Sequence, residues 1–176
     1  DFQPPHATFV GGFLGARGSF TEKLTGSLKV GYETREFSDG SSGGDVPVVQ
    51  MELIEQFTEK TGLTLSYTRS QQISVQYART AYTSDTVGAS LRQEIGNDGR
   101  FYGVLRGTYA LSDFEPNEFF DDRSDQLLVV GVDFTYDFKL WLQGRLGYDH
   151  ERLSSDLPAI KDYRVNRVSL GLSIGY

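Results

Sequence analysis

Along most of the chain, apolar residues recur at every second position. The clearest run is the end, "NRVSLGLSIGY" (166–176), where Val168, Leu170, Leu172, Ile174 and Tyr176 alternate with Ser169, Gly171, Ser173 and Gly175. A two-residue period marks a β-strand whose two faces meet different surroundings. Residues 139–152 set Leu140, Leu142, Gly144, Leu146 and Tyr148 against Trp141, Gln143, Arg145, Gly147, Asp149 and Glu151. Residues 125–138 set Leu128, Val130, Val132, Phe134, Tyr136 and Phe138 against Gly131, Asp133, Thr135 and Asp137. Residues 100–112 carry Phe101, Leu105, Tyr109 and Leu111 opposite Tyr102, Arg106, Thr108 and Ser112. Earlier segments follow the same rule around Val87–Ile95, Leu63–Tyr67 and Leu24–Tyr32. The first, "TFVGGFLGARG", is apolar on both faces and leaves its register open. The helix formers of "QMELIEQFTEK" follow Pro47 and a valine cluster, so this segment is read as strand.

The pattern predicts nine strands, at 7–17, 20–37, 46–58, 62–74, 80–95, 99–113, 124–138, 139–152 and 163–176. Short connections fall at 17–19, 59–62, 96–99 and 137–139. Long polar ones fall at 38–45, around 70–80, at 113–125 and at 152–163. Short turns at one end and long loops at the other describe an antiparallel, up-and-down transmembrane β-barrel with an apolar outside and a polar lumen. A soluble β-sandwich also alternates. The strands here exceed the usual sandwich length of about 5–6 residues. Aromatics (Tyr176, Tyr148, Tyr136, Phe138, Phe101, Tyr109) also gather at strand ends on the apolar face, where an interfacial girdle belongs. Glu55 breaks the pattern by sharing the Met51, Leu53, Phe57 face, which expects either a shifted register or a position near an interface. Nine strands with a short-turn and a long-loop end break the even count of bacterial barrels, so the chain is expected to be the C-terminal part of a larger barrel. A mis-split strand, giving eight or ten, or several chains sharing one barrel are the alternatives. The terminal aromatic, Tyr176, is expected to close the last strand and to be read by the outer-membrane insertion machinery.

Composition narrows the choice. The 176 residues form one β-barrel domain, or part of one, with 13% aromatics, 20 glycines and no cysteine, which excludes disulfides and thiolate metal sites. Two histidines make a structural zinc site improbable. A net charge of -7 argues against a nucleic-acid partner. No apolar run reaches about 18 residues, so no transmembrane helix is expected. "DFQPPHATF" has neither the basic start nor the apolar core of a signal peptide.

The segments "TGLTLSYTRS", "LWLQGRLGYDHERLSSD" and "DYRVNRVSLGLSIGY" together resemble the putative β-barrel porin 2 family, over roughly residues 60–176. The resemblance implies a large outer-membrane barrel, and a role in exopolysaccharide export. It carries over no catalytic residues and implies no cofactor.

Candidate chemistry lies on the face opposite the apolar one. Lys29, Arg92, Arg106, Arg145 and Arg167, with Glu94, Asp133, Asp137 and Asp149, are expected to line a lumen, where Tyr102 and Trp141 offer stacking surfaces for sugars. Mutual ion pairing that braces the wall is the competing role for each. A mixed-charge lumen suits polar solutes without strong ion selectivity. His150 falls on the apolar face without a nucleophile in reach, so no catalysis is expected. The acidic loop "FEPNEFFDD" lacks calcium-loop spacing and is read as solvated. Expected partners are membrane lipid, the insertion machinery, and a polysaccharide or periplasmic export partners. The alternative function is a non-transporting adhesive barrel whose loops bind partners.

Overall fold

The computed structural model describes residues 7–37, 42–73, 81–114, 123–156 and 162–175. They form one sheet of nine strands in chain order: β1 (Ala7–Ser19), β2 (Leu24–Phe37), β3 (Ser42–Thr58), β4 (Thr61–Ile73), β5 (Ala81–Ile95), β6 (Phe101–Phe114), β7 (Arg123–Lys139), β8 (Leu142–Ser155) and β9 (Tyr163–Ile174). Every neighbouring pair is antiparallel, and β1 and β9 are the sheet's edges.

Two of the short connections differ from the sequence expectation. The first strand continues through Ser19, with Gly18 paired to Gly26, and the chain turns at 20–23 instead of 17–19. There Thr21 Oγ1 accepts from the Leu24 and Lys23 amides at 3.0 and 3.2 Å, supplying the turn chemistry. Likewise β7 runs to Lys139 through a register shift after Asp137, and the turn is Leu140–Trp141. Between β5 and β6 the turn rests on Gly96 (φ 90°) and Gly99 (φ 68°). A methyl group at Gly99 would meet open space, so Gly99→Ala is opposed by backbone conformation alone. It is expected to destabilise by about 1 kcal/mol, read as a lowered urea midpoint.

The sheet has no second layer. The chain exposes 12324 Å², against about 8,600 Å² for a globular chain of its 19.6 kDa. Among the described residues only Val46, Val48 and Ala81 are buried hydrophobics, while Leu14, Leu105, Val168, Leu170 and Leu172 lie open. A sandwich would cover such a face. One face is therefore apolar toward its surroundings, and the alternation serves two different solvents.

The register resolves the ambiguous first strand. Leu14 and Ala16 pair with Val30 and Leu28 on the apolar face, while Phe13 pairs with Gly31 on the polar one. Glu55 does share the apolar face, between Leu24 and Leu63, but only three residues from the end of β3, at the turn edge.

Candidate functional site: a polar wall behind a tilted apolar band

One row of register partners crosses the apolar face from β2 to β9: Leu28, Met51, Tyr67, Val87, Tyr109, Leu128, Arg152, Arg164. It starts among aliphatics and ends on arginines. The change arises because the apolar band runs obliquely to the rows. Tyr32 stands four residues toward the loop end from Leu28. Tyr67 and Tyr109 lie on the row, and Tyr148 stands four residues toward the turn end from Arg152. This tyrosine line drops eight residues over six strand-to-strand steps. With about 3.3 Å per residue and about 4.8 Å between strands, the slope is about 40°. The strand tilt of membrane barrels is about 35–45°.

The line is also a chemical boundary. Tyr67 donates to Asp85 at 2.6 Å and Tyr148 to Asn166 at 2.9 Å, each reaching from an apolar stretch into a polar rim. His150 joins that rim through Asn166, at 2.8 Å. At the turn end, Phe101, Phe134, Tyr136 and Phe138 form an aromatic cluster with centroids 5.0 to 6.2 Å apart. Between the two girdles, on β6, lie only Gly103, Leu105 and Gly107 on this face.

The opposite face divides in two. On β4 and β5 it is low and small: Thr64, Ser66, Thr68 and Ser70 pair with Ser90, Gly88, Thr86 and Ser84. On β6–β8 it is ionic. Asp133, 5% exposed, receives Arg145 at 2.7 and 2.9 Å and also pairs with Arg106. Arg106 reaches on to Asp149 at 2.5 Å. Two glycines make room for this lattice. A Cβ on Gly147 would come 2.6 Å from Asp133 Oδ1, and one on Gly131 would overlap Asp149. The charges therefore lie flat along the wall.

The other expected wall residues are placed separately. Lys29 sits 4.2 Å over the Phe13 ring and Arg92 4.6 Å over Tyr102. Glu94 pairs with Lys60 at 3.6 Å, and Asp137 accepts from Gln143 at 2.8 Å. Arg167 stands opposite Asp149 in register. Trp141 is in the β7–β8 turn, not in the strand, and its carbonyl accepts from the Gly175 amide at 3.1 Å. Since β8 begins at Leu142, Trp141 stands at the turn edge of the wall, in a hollow it shares with Asp137, Gln143 and Ser173. Tyr176 lies outside the described residues.

A second cluster was not expected from sequence. Arg123 pairs with Asp125 and covers the Phe114 ring at 4.2 Å, and Tyr82 stacks on that ring at 4.6 Å. Ser155 donates to Asp125 at 2.6 Å. Phe114, Arg123 and Ser155 fall in strand tails that read as loop. Beside them the Tyr163 hydroxyl donates to Glu151 at 2.6 Å; that bond, then partial burial, holds the phenol above its ordinary pKa. Among the described residues, no group of three or more His, Asp or Glu could hold a metal.

A family model described as putative beta-barrel porin 2 matches residues 10–176. The chain belongs to that family. No curated protein matches it. Family and geometry agree on the architecture: an all-β, up-and-down sheet of a β-barrel porin, with its apolar band cut at the barrel tilt. The match spans almost the whole chain, including the first strands, which lie before the segments that carry the sequence resemblance.

Proposed function

We propose that this porin-family chain forms a conduit across the bacterial outer membrane for a polar solute or polymer, with exopolysaccharide as a candidate cargo, and that it is not an enzyme. One observation carries the reading: a wall of small hydroxyl residues and flat-lying, mutually paired charges backs an apolar band between two aromatic girdles. Paired charges leave a passing solute little net field, which suits neutral or weakly charged cargo. Ser, Thr and Gly leave bore, where large side chains would fill it. The same reading makes membrane lipid and the insertion machinery its partners. In lipid the backbone groups of β1 and β9 must also be paired, so the sheet must close.

Two measurements test it. The chain in its source membranes is expected to need detergent for extraction and to shift in gel mobility on boiling; the unheated apparent mass reports what completes the barrel. Reconstituted in a planar bilayer, it is expected to conduct with weak ion selectivity, and Arg145→Glu to shift selectivity toward cations. A heat-modifiable barrel without conductance would favour the adhesive alternative. A chain that stays soluble without detergent would end the membrane reading.

A further inference from the structure

Arg152 and Arg164 face each other directly across β8 and β9, on the apolar side, four residue pairs beyond Tyr148 and Val168. Like charges opposite one another in a sheet are destabilising. Four other arginines of the sheet are relieved: Arg69, Arg106, Arg123 and Arg145 each hold an aspartate. Among the described residues, neither Arg152 nor Arg164 has a carboxylate within 4.0 Å. Asp162 lines the same shallow hollow with them, but its oxygens accept from Ser154 Oγ and the Ser155 amide, both at 3.1 Å.

Their height is informative. Four residues along a strand tilted by about 40° place Arg152 about 10 Å beyond the tyrosine line. The headgroup layer lies just outside a hydrocarbon core of about 30 Å, and an arginine stem can bend back toward it. Two guanidinium forks on the outward face, at headgroup level, match a phosphate that offers several acceptor oxygens.

We propose that Arg152 and Arg164 form a site for the phosphorylated headgroup of a lipid in the leaflet at the loop end. The site rests on the membrane reading above. It supplies the counter-charge that the two strands lack and ties β8 to β9 through the bound lipid.

The test folds the full chain into phosphatidylcholine discs. These contain a minor fraction of a bis-phosphorylated glucosamine lipid, or the same lipid stripped of its phosphates. Native mass spectrometry then counts lipid retained after detergent release, for the wild type, R152Q/R164Q and the charge-keeping R152K/R164K. The wild type is expected to retain the phosphorylated lipid about thirtyfold better than the glutamine variant, at roughly fivefold per arginine. The lysine variant should fall between, and the stripped lipid should be held as poorly as by the glutamine variant. Equal retention by wild type and lysine variant, whether or not the glutamine variant folds, would remove the fork geometry and overturn the site. So would equal retention of stripped lipid. Displacement of the lipid by millimolar inorganic phosphate would reduce it to a site for the free ion and overturn the lipid assignment. A boiling shift with lipid retention indifferent to the arginines sinks this inference alone. Absence of the shift in the wild type sinks the membrane reading and the inference together.

Discussion

Placing arginine at Leu105 is expected to weaken folding into a bilayer by about 2–4 kcal/mol. Leu105 sits on β6 four residues from Phe101 and four from Tyr109, midway between the girdles, and is 54% exposed. The same change at Leu111, beyond the tyrosine line beside Asp85 and Gln126, is expected to cost about 0–1 kcal/mol. The depth dependence is the diagnostic part. In water, an exposed leucine replaced by arginine changes stability by about 0.5 kcal/mol at most. Urea titration of the two variants folded into vesicles measures the difference. Equal, small effects at both positions would place the apolar face in water.

Removing the Asp133 carboxylate, as Asp133→Ala, is expected to destabilise the sheet by about 2 kcal/mol. The carboxylate is buried between two arginines, and its loss leaves both guanidiniums against a wall that holds only Asp149 in exchange. Breaking a fully buried pair costs about 3–5 kcal/mol. Arg106 and Arg145 are 32% and 55% exposed, so water recovers part of that loss. Arg145→Ala, on the exposed side of the same pair, is expected to cost only about 0–1 kcal/mol. Chemical denaturation of the two single variants and the double variant separates the pair energy from its surroundings. Equal costs for Asp133→Ala and Arg145→Ala would mean that Asp133 is not the hub.

Much of this architecture is legible in the sequence because two solvents enforce a two-residue period. Where both faces are wet, the period vanishes. Phe114 and Arg123 lie within "DFEPNEFFDDRSD", which reads as loop, yet β6 and β7 extend into it, and the Arg123–Phe114–Tyr82 cluster went unseen. The first strand fails for the opposite reason: apolar residues on both faces leave two registers equally good. Only pairing with β2 places Phe13 over Gly31 under Lys29. The ionic lattice is legible as charge on one face but not as a network. Arg106 and Asp149 are 43 residues apart, and the space that joins them is the missing side chain of Gly131. Trp141 reads as a strand residue because alternation alone cannot tell a strand's first residue from the last of a turn.

The strands outlast the apolar band. Beyond the tyrosine line, β6 continues for five residues to Phe114 and β8 for seven to Ser155. At the same tilt this makes a rim standing roughly 15 Å clear of the hydrocarbon. For a water-filled bore the rim is electrical length. The current crosses a column of about 40 Å instead of about 25 Å, so conductance falls to roughly 60% of that of a flush hole of equal width. A bore diameter inferred from single-channel current alone would then come out too narrow.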